Sequence, residues 1–279
     1  MTTITAKQKA AFKRMIWSYY ARNRRSFPWR EKPTPYRVVV SEIMLQQTQA
    51  PRVVSKFNEF VRKFPSFKKL AAAPTANVLR AWQGLGYNRR ALALKKIAAI
   101  VAQQYRGALP NDMSLEALDS LPGIGPATAS AISAFAFNRA HPFIETNIRS
   151  VYLHVFFAGR TDVTDDQLLP LIEQTLERDR ARDWYYALMD YGVMLKQTEE
   201  NPSRRSRHYT KQSKFAGSRR QVRGAVLREL AAAPLTHAQL LKSLNVSAGL
   251  TQEILDELTR EGFLTQRSSK NGTRYALAA

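Results

Sequence analysis

Leu121-Pro-Gly-Ile-Gly125, followed at once by Pro126-Ala-Thr-Ala-Ser-Ala-Ile132, decides the fold. A helix over Leu115 to Ser120 ends there, the glycine pair turns the chain, and Pro126 opens a second helix built of small residues. Gly123 and Gly125 allow a tight turn and let another molecule approach the backbone closely. Such a turn presents backbone N–H groups and a helix N-terminus, a ready place for a phosphate oxygen. A bare Gly-x-Gly would be only a helix–helix connection. The whole run, from Leu121 and Ile124 through Ala127 and Thr128, is far more specific.

The composition agrees with a phosphate partner. The chain has 279 residues, 43 Lys+Arg against 22 Asp+Glu, and a formal net charge of +21. A surplus of this size points to DNA, RNA or an anionic membrane face, and to nucleic acid before a merely solvated basic surface. The sequence has no cysteine, which excludes disulfides, thiolate zinc sites and iron–sulfur clusters. His141, His154, His208 and His237 show no metal-ligand spacing. The longest apolar stretch, Ala127 to Phe137, is well short of the roughly 20 residues a bilayer needs. The first residues lack a signal-peptide pattern, so a soluble, intracellular, cytoplasmic protein is expected, with no membrane partner and as a monomer.

Most of the chain reads as helix. Phe12, Met15, Ile16 and Tyr19 make one apolar stripe over Lys7 to Tyr20. Val38 to Leu45, Arg52 to Phe64, Ala76 to Leu85 and Ala91 to Tyr105 read the same way, separated by Pro, Gly and Asn. Strand-like alternation is nearly absent before residue 260. Residues 196 to 223 carry nine Lys/Arg and two Glu. They read as a basic linker or arm, with Arg204, Arg205, Lys211 and Lys214 as DNA contacts, or else as a solvated loop. Beyond it, helices are expected over Arg220 to Ala232, from a Thr236 cap to Leu244, and over Gly249 to Arg260 behind a Ser247 cap. A β-hairpin over Gly262 to Leu277, turning at Ser268 to Gly272, completes a winged-helix-like pattern. Its third helix would read a groove, but Glu253, Asp256, Glu257 and Glu261 make that helix acidic.

Further motifs lie on either side of the hairpin. These are Pro28-Trp-Arg30, Ser41-Glu-Ile-Met-Leu-Gln-Gln-Thr-Gln49, Gly84-Leu-Gly-Tyr87 with Arg89-Arg90, and Ala187-Leu-Met-Asp-Tyr-Gly192. In this order the chain resembles the helix–hairpin–helix DNA glycosylase superfamily, and most closely the adenine DNA glycosylases of the MutY type. The resemblance covers about residues 8 to 196. It implies a mainly α, two-lobed helical fold over 1–195, followed by the basic arm 196–218 and the small α+β winged-helix-like domain 219–279.

The resemblance also implies roles. Glu42 matches the catalytic glutamate that protonates the leaving adenine and helps activate water, which requires a raised pKa. Gln46, Gln47 and Thr48 resemble the wedge that fills the gap left by a flipped base. Tyr87 matches an aromatic that intercalates beside the opposing base, although a core tyrosine would look alike; Arg89 would join it on the DNA. Leu121, Gly123, Ile124, Gly125, Ala127 and Thr128 form the phosphate-binding hairpin, whose carbonyls leave room for a monovalent cation.

Several positions depart from the family. Glu145 stands where the family has its second catalytic carboxylate, an aspartate, so the charge is kept and the reach is longer. Asn147 matches the neighbouring asparagine. Ala127 replaces the lysine of bifunctional relatives, which implies hydrolysis without a strong lyase step. Lys196 stands where the first cluster cysteine would be, so no iron–sulfur cofactor is expected. The usual 8-oxoguanine-sensing C-terminal domain is also replaced. Three readings follow: a monofunctional glycosylase acting on adenine opposite 8-oxoguanine or guanine in double-stranded DNA, the same reaction on another base (a mismatched thymine or uracil, or an alkylated or crosslinked base), or a lesion-binding protein without catalysis.

Overall fold

The computed structural model describes residues 3–269 and 272–279. In chain order the elements are α1 (Ala6–Asn23), α2 (Pro28–Glu31), α3 (Pro35–Leu45), α4 (Ala50–Lys63), α5 (Phe67–Ala72), α6 (Thr75–Trp82) and α7 (Arg89–Gln104). There follow α8 (Leu115–Asp119), α9 (Pro126–Phe137), α10 (Thr146–Phe156), α11 (Asp165–Thr175), α12 (Ala181–Thr198) and a 3-10 turn at Pro202–Arg205. The chain closes with α13 (Arg219–Ala232), β1 (Leu235–Thr236), α14 (His237–Ser243), α15 (Ala248–Arg260), β2 (Leu264–Ser269) and β3 (Gly272–Leu277). The fold is mainly α with a small carboxy-terminal α+β part, as the sequence led one to expect.

Contacts divide the chain into two compact units, Met1–Glu42 with Asn111–Lys211, and Ile43–Pro110 with Gln212–Ala279. The 1–195 stretch, read above as one domain, is therefore shared between both units. In the first unit α12 packs against α1, α9 and α10. Its core is aromatic: Phe12 meets Tyr152 at 5.3 Å and Trp184 at 5.9 Å, ring centroid to centroid. Gly192 is required within α12, because a Cβ there would stand 2.3 Å from the Asn147 carbonyl oxygen.

The second unit joins α4 to α7 with the carboxy-terminal part. Phe57, Phe60, Trp82, Leu94 and Ile97 are fully buried in it. Helix α13 and strand β3 pack on α6, where the Ala76 N–H donates to the Ala278 carbonyl at 2.8 Å and Arg80 Nε to the Ala231 carbonyl at 2.9 Å. The two caps expected from sequence hold: Thr236 and Ser247 each accept a backbone N–H of the following turn, and Ser218 does the same for α13. The sheet order is β1-β3-β2, all antiparallel. The two-residue β1 was invisible in the sequence, being too short to alternate. Lys270 and Asn271 of the expected hairpin turn lie outside the described residues.

The first part of the expected arm is a correction, because residues up to Ser206 are folded onto the first unit, whereas residues 209–217 are exposed. Helix α12 runs on to Thr198, and Pro202, Ser203 and Ser206 are buried. Ser206 forms a parallel bridge with Val163. Arg205 anchors the turn by donating to the Phe157 carbonyl at 2.8 Å and the Leu153 carbonyl at 3.0 Å, acceptors at the end of α10.

Candidate active site

Glu42 lies near the end of α3 and is only partly exposed. Burial, reinforced by the Glu145 carboxylate, pushes its pKa up from the ordinary 4.5 to about 8, against the opposing pull of Arg30. Glu145 is the N-cap of α10. Its Oε1 accepts the backbone N–H groups of Asn147 at 2.8 Å and Ile148 at 2.9 Å, and its Oε2 accepts Asn147 Nδ2 at 3.0 Å. A carboxylate in this place is fixed by donors already aligned with the helix axis. Asn147 is fixed in turn by the Gly192 approach. The first unit thus brings Glu42, Glu145 and Asn147 together.

Arg30 explains two motifs whose function was not legible in sequence. Its Nη1 donates to both carboxyl oxygens of Asp190, at 3.0 and 2.9 Å, and its guanidinium stacks on Tyr186 at 4.2 Å. Asp190, 1% exposed, also takes Arg25 Nε at 2.6 Å. The Pro-Trp-Arg and Leu-Met-Asp-Tyr-Gly segments are thereby locked beside Glu42. In the same unit, burial holds the Lys196 ammonium below its usual range, partly countered by Glu145. With lysine at 196 and no cysteine in the sequence, these residues do not fit a thiolate-held cluster.

The second unit assembles the other set. Gln47 and Tyr87 both have positive φ, 55° and 46°, so two strained turns stand here. Arg90 joins them. Its Nη1 donates to the carbonyls of Ile43 at 3.1 Å, Met44 at 2.8 Å and Gln46, and its Nη2 to Thr48 Oγ1 at 3.0 Å, Leu85 O at 3.2 Å and Gly86 O at 3.0 Å. Burial lowers its pKa to about 10. The arginine caps α3 and staples the Gln46–Thr48 turn to the Gly84–Tyr87 turn. Sequence reading missed this residue, although a doubled arginine after a glycine turn was a signal. Tyr87 is partly buried, and its hydroxyl meets Gln212 and Arg220. Arg89 is engaged with Glu261 at 2.8 Å.

In the hairpin, Gly123 has φ 76° and the Ile124 N–H closes the turn on the Leu121 carbonyl at 3.1 Å. Gly125 is the N-cap of α9, Pro126 its first residue, and Ala127 is exposed in the first turn with Thr128 beside it. Leu121 and Ile124 are buried and hold the turn down. Among the arm residues, Arg204 pairs with Glu200 at 3.2 Å and Arg205 caps α10, whereas Lys211 and Lys214 are exposed.

The first unit thus holds two carboxyl groups, one with its pKa raised, and a glycine hairpin that opens α9. Residues 40–176 match the HhH-GPD superfamily of base excision DNA repair proteins. The adenine DNA glycosylase of Mycobacterium tuberculosis H37Rv is 33% identical over 282 residues, covering 90% of this chain and 89% of that protein. That of Mycolicibacterium smegmatis is 32% identical over 283 residues, 94% of each. The human adenine DNA glycosylase is 32% identical over 66% of this chain and 36% of its own length. Among solved structures, a thermostable thymine-DNA glycosylase superposes with TM-score 0.62 and 25% identity over 70% of this chain and 91% of its own. An endonuclease III–DNA covalent intermediate, at TM-score 0.60 and 17% identity over 71% of this chain and 92% of its own, shares the fold.

The chain belongs to the HhH-GPD superfamily of DNA glycosylases. Within it, the relatives that match along nearly the whole chain carry the name adenine DNA glycosylase, the MutY type. Among the described residues no helix is long and apolar enough to cross a membrane.

Proposed function

We propose that the chain is a monofunctional glycosylase that hydrolyses the N-glycosidic bond of adenine mispaired with 8-oxoguanine or guanine in double-stranded DNA. It works as a monomer inside the cell and without an iron–sulfur cluster. The observation that carries this reading is the Glu42 carboxyl, still protonated near pH 7, next to a Glu145 carboxylate fixed by three N–H donors. Glu42 gives its proton to the departing adenine as the glycosidic bond breaks and its electron pair leaves with the base. The sugar is left as an oxocarbenium ion, and the Glu145 charge stabilises it. Water then adds to the sugar carbon and returns a proton to Glu42. The hairpin's backbone N–H groups hold a flanking phosphate, and its carbonyl oxygens would hold a monovalent cation, which would add positive charge there.

Ala127 supports a hydrolytic outcome, because no amine stands there to form a Schiff base. The alignment with mycobacterial adenine DNA glycosylases over 90% and 94% of the chain supports adenine despite the unusual carboxy-terminal part. The thymine-DNA glycosylase similarity favours a second reading, thymine in a mismatch, by the same chemistry.

A panel of duplexes, each with one candidate pair, separates these readings. Alkali-labile abasic sites are expected from adenine opposite 8-oxoguanine or guanine. Abasic sites from thymine duplexes alone would replace the first reading with the second. A borohydride-trapped adduct would overturn the monofunctional mechanism.

A further inference from the structure

Among the described residues, two large apolar side chains are exposed, Tyr209 at 38% and Phe215 at 61%. They are not equivalent. The Tyr209 hydroxyl is engaged by Arg204, whereas the Phe215 ring has no aromatic or cation–π partner among the described residues. The Phe215 backbone is nevertheless fixed. Its carbonyl accepts the Ser218 N–H at 3.1 Å and the Ser218 hydroxyl at 2.7 Å, which closes a four-residue turn with Gly217 at φ 74°. The Gly217 N–H donates to Gln221 Oε1 at 2.7 Å and Ser218 caps α13, so the turn is joined to that helix. Helix α13 is itself tied to α15: Glu257 takes Arg219 at 2.5 Å and Arg223 at 2.9 Å, and Glu261 takes Arg223 at 2.8 Å. The acidic face of α15, puzzling for a groove reader, is used in this way. A flexible loop would lose freedom on binding, but this backbone is held before any partner arrives. The surroundings select the partner. Residues 201–228 contain nine Lys or Arg and no Asp or Glu. Lys214, beside the ring in sequence, is exposed, and the first turn of α13 carries no acidic residue to offset the positive end of that helix. An apolar protein groove would accept the ring but gain nothing from an acid-free surround; nucleic acid uses both.

We propose that Phe215 is a stacking contact for DNA: its ring lies on the face of an unstacked base while Lys214 meets a neighbouring phosphate. A paired, stacked duplex offers no free base face, so the contact forms where the helix has been opened by the flipping or loss of a base. Every base has such a face, so the contact adds affinity for opened DNA without reading which base stands there. This inference rests on the glycosylase reading for its biological meaning, but not for its test.

The test measures the Kd of the full chain, over a range of salt, for a duplex carrying a tetrahydrofuran abasic analogue and for the same duplex undamaged. Phe215→Ala is expected to weaken binding to the abasic-analogue duplex about tenfold at every salt concentration, the size of one stacked base. The log–log salt slope should not change, because no phosphate contact is lost. Binding to the undamaged duplex should be nearly unchanged. Phe215→Trp should bind the abasic-analogue duplex at least as tightly as the wild type, and it guards against a folding artefact because it replaces the ring rather than removing it. Phe215→Leu, apolar but without a π face, should stay near the alanine variant. Unchanged affinity of Phe215→Ala for the abasic-analogue duplex would overturn the proposal and leave the ring to a protein partner. An equal loss on both duplexes would also overturn it, reducing Phe215 to a general groove contact, as would full recovery with leucine. If the wild type excises no base from any duplex, the glycosylase reading fails while these affinities still decide the role of Phe215.

Discussion

The carboxylates of the first unit and the arginines of the second are held by opposite means. At Glu42 burial outweighs the pull of Arg30, with Glu145 adding to it, so its pKa is raised to about 8. Arg90 is also withdrawn from water but is supplied with backbone carbonyls and a hydroxyl on every side. A buried acid can escape the cost of burial by keeping its proton, whereas an arginine cannot discard its charge. The first arrangement stores a reactive proton, and the second builds a rigid joint. The two environments could not be exchanged between these groups.

The comparison breaks hardest at Glu42. Glu42→Gln is expected to slow excision about 10³-fold or more, in single-turnover assays, while the Kd for an abasic-analogue duplex changes less than about threefold. Excision at near-wild-type rate would remove Glu42 from the mechanism. The wild-type rate should fall about tenfold per pH unit above pH 8, where the proton is lost. Stability carries the same signature. The folded state keeps a proton that the unfolded chain releases above pH 4.5, so this group's contribution falls as pH rises from 4.5 to about 8. Glu42→Gln should therefore be more stable than the wild type by about 1 to 3 kcal/mol above pH 8, read by urea denaturation.

Arg90→Met tests the other side. It leaves buried carbonyls without a donor and should cost about 3 kcal/mol or more of stability. A loss under about 1 kcal/mol would mean that the two turns do not depend on the staple. Glu145→Gln should lower excision about 10²-fold, and Glu145→Asp should recover part of that loss if charge, rather than reach, is what matters. An aspartate variant as slow as the glutamine one would show that the longer side chain is tuned to this N-cap. The smallest effect is expected at Lys211 and Lys214. Replacing both with alanine should flatten the log–log salt dependence of binding by about 0.9 for each phosphate that these lysines neutralise. An unchanged slope would leave them as solvated side chains.

Legibility in the sequence differed between the two sets. Glu42 and Glu145 were found because each sits within a dense local motif. Spacing alone made Glu42 no more than a carboxylate near a helix end, and only the resemblance gave it a role; its raised pKa comes from burial and from Glu145, more than 100 residues away in the sequence, against the pull of Arg30. Arg205 was read as a DNA contact because it lies among basic residues; its guanidinium also donates to the carbonyls at the end of α10, which the sequence did not show. Charge runs cannot reveal which guanidinium faces a carbonyl.

By itself, the sequence determined the glycine hairpin, most helices with their caps, the absence of thiolates and the order of motifs that marks the family. These depend on neighbours a few residues apart, where backbone propensity and spacing are local. Only the tertiary structure decided that Arg90 staples two turns, that Asp190 holds Arg30, and that α13 meets Tyr87 across 133 residues of chain. Those contacts are non-local, and desolvation depends on everything that surrounds a group. No spacing along the chain can encode either.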